Sequence, residues 1–148
     1  MDDQTRNDEA AIRALIEAQA AALRAKDVEG VMRPCAPDAM RFDLDPPLAH
    51  PGDPARDRRE HAEWFATWRG GLGYEIRDLQ LTVADGIAFG HGFIGISGTK
   101  TDGKAASVWA RRTIGLRRLR DGWKIVHDHV SVPFYMDGSY RAAVDLAP

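Results

Sequence analysis

The sequence predicts an α+β domain, helices first and sheet afterwards, and a change of hydrophobic period carries that prediction. Before about residue 70 apolar residues recur at helical spacing, whereas from Tyr74 onward they alternate with period two. The second half is punctuated by Asp85-Gly86, Asp102-Gly103 and Asp121-Gly122, where glycine supplies the positive backbone angle that a tight hairpin needs. A chain of 148 residues fits one core, so a single domain is expected.

Residues 7–26 place Ile12, Leu15, Ile16, Gln19 or Ala20, and Leu23 along one stripe, which predicts the longest helix, with Asn7 or Asp8 as its cap. Residues 27–33 predict a short second helix that stops before Pro34, because the residue before a proline avoids helical geometry. A brief strand over 40–44 leads into the proline-rich stretch 45–54, a loop over a surface or a cavity mouth. The third helix, 55–69, brings His61, Trp64, Phe65 and Trp68 to one side and ends at Gly70-Gly71. Strands over 74–84, 87–97, 104–120 and 123–133 then follow as an antiparallel meander, long enough that it must curl to bury one face.

Composition narrows the partners. A formal net charge of -2 with 28% charged residues leaves no excess of either sign to attract a polyanion, so nucleic acid is not expected. The single Cys35 cannot close an internal disulfide and is read as a small apolar filler, which fits a reducing, cytoplasmic setting. The start Met1, Asp2, Asp3 lacks the pattern of a signal peptide, and no apolar run is long enough for a membrane span. No membrane partner is expected.

The last hairpin carries the densest candidate chemistry. With Asp121-Gly122 as a two-residue turn, Gly115 faces Asp128, Thr113 faces Val130 and Arg111 faces Val132. Arg111, Thr113, Val126, Asp128, Val130 and Val132 then share the inner, valine-rich face, and Arg112, Ile114, Ile125, His127, His129 and Ser131 share the other, unless a bulge reassigns them. Arg111 and Asp128 are either a salt bridge that fixes the hairpin, or an anion anchor beside an acid or base. His127 and His129 point the same way, with His91 able to join them in space, as structural or interface histidines or as a proton-transfer site. Their spacing is too weak a signal to predict a metal centre. Asp43, where the first strand meets the loop, is a turn acid or a catalytic base. Trp64, Trp109 and Phe89 are core and pocket wall, or a stacking surface for a planar ligand.

Several stretches resemble one family. Cys35-Ala36-Pro37-Asp38-Ala39 followed by Phe42-Asp43-Leu44-Asp45-Pro46-Pro47-Leu48 is similar to the first strand and lid of SnoaL-like domains in the ketosteroid-isomerase-like superfamily, which has a nuclear-transport-factor-like fold. Trp64-Phe65-Ala66-Thr67-Trp68, Gly73-Tyr74-Glu75-Ile76-Arg77-Asp78-Leu79, Ser97-Gly98-Thr99-Lys100-Thr101-Asp102-Gly103, Trp109-Ala110-Arg111-Arg112-Thr113 and the run from Gly122 to Phe134 resemble it too. The resemblance implies a cone-shaped roll, three helices on a strongly curved antiparallel sheet, usually dimeric. It also implies no single reaction, since isomerases, cyclases, epoxide hydrolases, dehydratases and kinase association domains share the fold. Ketosteroid isomerases carry an acidic base near the end of the first strand, about where Asp43 stands, but the first helix here lacks their oxyanion tyrosine.

The function expected from residues and resemblance together is a pocket for a small apolar or anionic molecule. Its chemistry would be that of a cofactor-independent isomerase, cyclase or lyase acting by acid/base catalysis on a small carbonyl compound. The alternative is a non-catalytic binding or association module. A homodimer through the outer face of the sheet is expected in either case.

Overall fold

The computed structural model describes residues 2–148, with helices α1 (Asp3–Arg24), α2 (Val28–Met32) and α3 (Pro54–Ala66) and strands β1 (Cys35–Phe42), β2 (Trp68–Ala84), β3 (Ile87–Lys100), β4 (Ala105–Leu119) and β5 (Gly122–Ser131). The strands form one sheet in the order β1-β5-β4-β3-β2, and the helices pack on one face of it. Strands β2 to β5 make the expected antiparallel meander. The sheet as a whole is mixed, because β1 runs parallel to β5 at the edge. Helix α3 and the whole meander separate these two strands in sequence, so no hairpin forces them antiparallel.

Each helix begins on an aspartate that accepts from the first turn. Asp2 takes the Thr5 amide at 2.7 Å, Asp27 takes Gly30 at 3.1 Å and Asp53 takes Arg56 at 3.1 Å, satisfying donors that have no partner within the helix. Asp2 thus replaces Asn7 or Asp8 as the cap of α1. Asp8 sits instead on the buried stripe, where its carboxylate accepts from Trp123 Nε1 at 3.1 Å and from Arg118 Nη1 at 2.9 Å. Gly30 lets α2 lie against α1, since a Cβ there would come within 2.7 Å of the Ala22 methyl. Helix α3 ends at Ala66, so Trp68 opens β2 instead of closing the helix.

Helix α1 covers two apolar clusters in turn. Near its amino end Ile12 and Ile16 meet Ala88, Ile114, Leu116, Trp123 and Ile125, and the side chains of Ile12, Leu116 and Ile125 are essentially removed from water. Full burial of such a side chain stabilises by roughly 1.5–3 kcal/mol. Near its carboxyl end Ala20 and Leu23 meet Val31, Phe65, Trp68, Leu72, Tyr74 and Ile94. Gln19 lies between the two, and there the layers part around a cavity.

The β4–β5 hairpin differs from the sequence-based register in two ways. Leu119 pairs with Gly122, so the turn is Arg120-Asp121, and the register shifts where Leu116↔Ile125 is followed by Gly115↔His127. Val126 is the extra residue of that bulge. Beyond it Ile114 faces Asp128, Arg112 faces Val130 and Arg111 faces Ser131.

Candidate functional site

The cavity between the sheet and helices α1, α2 and α3 has a volume of about 650 Å³. Leu23, Val31, Ala39, Trp64, Ile94, Ile96 and Val130 give it apolar walls, while the Pro-rich loop contributes Leu44 and Asp45 to its mouth. Its inner end is polar. Arg112 on β4 donates from Nε to Asp128 Oδ1 at 3.0 Å and from Nη2 to Asp128 Oδ2 at 2.8 Å, a two-pronged pairing that fits the planar fork of the guanidinium. Nη2 also donates to Gln19 Oε1 at 2.8 Å, and Gln19 Nε2 donates on to the Val31 carbonyl at 2.9 Å.

Arg112 is 9% exposed, and burial works against its charge, but the carboxylate of Asp128 outweighs burial and holds the guanidinium above its ordinary pKa. It is a permanent cation, compensated by the Asp128 carboxylate. Tyr74 also lines the cavity, near enough to Arg112 to feel its charge, and burial raises its phenol above the ordinary value, so it stays protonated at neutral pH. Burial first, and the nearby Asp128 charge second, push the Cys35 thiol up to about 11, in keeping with a packing role rather than a reactive one.

A second charged group sits at the mouth. Arg41 on β1 reaches Asp57 Oδ1 of α3 at 3.0 Å, Asp43 Oδ2 at 3.4 Å and Glu60 Oε2 at 3.7 Å. Glu29 of α2 pairs with Arg58 of α3 beside them. His61, one turn along α3, lines the same space and turns its Nδ1 to the Asp57 carbonyl at 2.7 Å.

The residues singled out in the sequence separate between the two faces of the sheet. Asp128 and Trp64 line the cavity, and Asp43 lies at its mouth, one residue past the end of β1, with its carboxylate on Arg41 and on the Leu44 amide at 3.0 Å. Arg111 does not: it is exposed on the outer face, because the Val126 bulge reverses which residues of β4 share a face with Asp128. Arg112 takes the place assigned to Arg111.

The outer face also holds His91, Trp109, His127 and His129, which therefore do not line the cavity. Trp109 lies over Gly95 and under the Arg77 guanidinium, 4.5 Å from its ring centroid. His127 takes the Met40 carbonyl at 2.8 Å, and Phe42 meets both His127 and His129 edge-on at 4.8 and 5.3 Å. His91 pairs across to Gln80 and Thr113, away from the other two. Among the described residues no group of three or more His, Cys, Asp or Glu is placed to hold a metal ion, and no helix is long and apolar enough to cross a membrane.

Gln19, Arg41, Tyr74 and Arg112 were not legible as site residues from sequence, yet one signal for Arg112 exists. On β4 the apolar Ala110, Ile114 and Leu116 share its parity, while Arg111, Thr113 and Arg117 share the other. Along β5 the apolar parity changes after Ile125, from Trp123 and Ile125 to Val130 and Val132, which is what an inserted residue does.

Comparison with known proteins agrees with this architecture. An NTF2-like protein of unknown function from Pseudomonas putida is 28% identical, with 95% of this chain and 96% of that chain covered at a TM-score of 0.83. A candidate aromatic ring hydroxylase from Novosphingobium aromaticivorans is 24% identical over 84% of this chain and 88% of that one, TM-score 0.74. The association domain of C. elegans CaMKII is 15% identical over 88% and 99%, TM-score 0.68. Similarity at the last two levels shows the fold alone. No curated protein matches the sequence. The model of the SnoaL-like domain matches residues 12–135, and with the helix-covered sheet and its cavity described above, the chain belongs to the SnoaL-like domain family.

Proposed function

We propose that the cavity binds a small, mostly apolar molecule whose single polar end is a neutral oxygen, accepting hydrogen bonds from Arg112 and Tyr74, and that it serves cofactor-independent acid/base chemistry on such a carbonyl compound. The observation that carries this reading is the buried, charge-compensated guanidinium at the inner end of an otherwise apolar hollow of about 650 Å³. A cavity of that size and lining fits a small organic ligand. Because Asp128 already balances Arg112, an incoming carboxylate would bring an uncompensated charge into an apolar space, whereas a ketone oxygen would not. Three carboxylates at the mouth, Asp43, Asp57 and Glu60, share two cations, Arg41 and Arg56, which gives an anion no free partner there. Of the apolar and anionic ligands expected from the sequence, this reading favours the apolar, neutral one.

Arg112 would stabilise negative charge developing on the oxygen of the ligand, the role first assigned to Arg111. The test compares two bicyclic probes of similar size. Thermal unfolding with 1-tetralone, a neutral ketone, should show a midpoint that climbs with ligand concentration, and 1-naphthoate should leave it unchanged. A shift with naphthoate alone, or with neither, would end this reading.

A second reading concerns assembly. Phe42, Ile87 and Phe89 expose apolar surface on the outer face of the sheet, and similar structures include association domains. We propose a two-fold dimer through that face. Light scattering should then report twice the chain mass of 16.4 kDa, and a clean monomer across micromolar concentrations would refute it.

A further inference from the structure

We infer that His61 is the proton-accepting group of the cavity, with Nε2 as the basic atom, an inference that rests on the proposed ligand site and names its missing base. Nδ1 of His61 lies 2.7 Å from the carbonyl oxygen of Asp57, one turn back on the same helix. A carbonyl has no proton to give, so Nδ1 carries the hydrogen and, in the neutral ring, Nε2 carries the lone pair. No hydrogen bond among the described residues engages Nε2.

Elimination points the same way. Most carboxylates lining the cavity, the other candidate bases, are committed: Asp128 to Arg112, Asp43 and Asp57 to Arg41, Glu29 to Arg58, and Glu60 to Arg41 and Arg56. Asp45, at the rim, is 73% exposed and faces His50 at 3.8 Å. Tyr74 and Cys35 are protonated acids, not bases, at neutral pH. His61 alone combines a free lone pair with a place on the apolar wall, on the α3 face that also carries Trp64 into the cavity.

The chemistry that follows is proton transfer next to a carbonyl. With the ketone oxygen on Arg112 and Tyr74, the α C–H bond breaks and its electron pair forms the C=C bond of an enolate. The C=O π pair moves to oxygen and the proton goes to Nε2. Both imidazole nitrogens then carry hydrogen, in a cavity whose lining also holds the carboxylates of Asp43, Asp57 and Glu60 with Arg41 among them. Returning a proton to the same carbon regenerates the ketone, so no oxidant, reductant or second substrate is needed.

The experiment uses the full chain with 1-tetralone in D2O. Loss of the α-hydrogen signal at carbon 2, followed by NMR, should run well above the buffer rate with wild-type protein and fall at least a hundredfold in His61→Gln, the scale typical of a lost general base. Affinity for 1-tetralone should change no more than about threefold in that variant, since the oxygen contacts remain. Nitrogen-15 spectra of the free protein, assigned by the signal missing in His61→Gln, should show hydrogen on Nδ1 of His61. Exchange by His61→Gln at the wild-type rate, or hydrogen on Nε2 in the neutral ring, would overturn the inference. If wild-type protein binds the ketone but exchanges it no faster than buffer, the His61 inference and the acid/base half of the proposed function fail, and the ligand site stands. If the ketone does not bind, both fall.

Discussion

Arg111 and Arg112 are neighbours in sequence and opposites in environment. Arg112 is buried on the inner face of β4, bidentate to Asp128 and hydrogen-bonded to Gln19 on a helix far away in sequence, whereas Arg111 is exposed on the outer face beside Ser131. The comparison extends to whole faces. Inside, the deepest charged pair, Arg112 with Asp128, is fully matched, because an unpaired charge in a dry space costs several kcal/mol. Outside, Arg77 on Trp109 and Phe42 against His127 and His129 are contacts of a half-wet surface, where single interactions are worth little. Residue type does not decide which role an arginine plays; strand parity does.

The widest gap should open between substitutions of these two arginines. Arg112→Met strands the Asp128 carboxylate and the Gln19 amide oxygen, and urea unfolding should show a loss of about 3 kcal/mol, near the lower end for a broken buried pair because Asp128 keeps 16% of its side chain exposed. A smaller contrast separates Cys35 from an open thiol. With a pKa raised to about 11 from 9.0, its thiolate fraction at neutral pH is about a hundredfold below that of an unperturbed cysteine, so iodoacetamide should alkylate the folded protein that much more slowly. The shift is upward, so the folded form loses stability as pH rises from about 9 toward about 11, while the unfolded thiol ionises first. Alkylation at the rate of a free thiol would place Cys35 outside the packed layer. The smallest effect belongs to Arg111→Met, within about 0.5 kcal/mol of wild type.

Much of the fold was legible because local signals agreed. Helical period, then period two, with Asp-Gly pairs between, allow few arrangements other than helices laid on a meander. The parallel placement of β1 was not, since Pro37 interrupts its pairing and no turn ties it to β5. The candidate site was half legible for one reason. Misplacing the β4–β5 turn by one residue slides the register by two and leaves every side chain on its face, so that error was harmless. Val126 was not harmless. One inserted residue moved Arg111, and with it the supposed anchor, to the far side of the sheet, and it set Asp128 on the face of Arg112. His61 was visible only as part of an aromatic stripe, because its significance depends on a backbone hydrogen bond that spacing does not reveal.

Arg112, and not Arg111, is the partner of Asp128 at the inner end of the cavity, and the proposed function depends on that pairing. A pair of double-mutant cycles measures that directly, with Asp128→Asn combined first with Arg112→Met and then with Arg111→Met, each read by urea unfolding. The prediction is a coupling of about 2 kcal/mol or more for Arg112 and none beyond about 0.3 kcal/mol for Arg111. Coupling to Arg111 with none to Arg112 would contradict the register, the cavity floor and the function proposed from it.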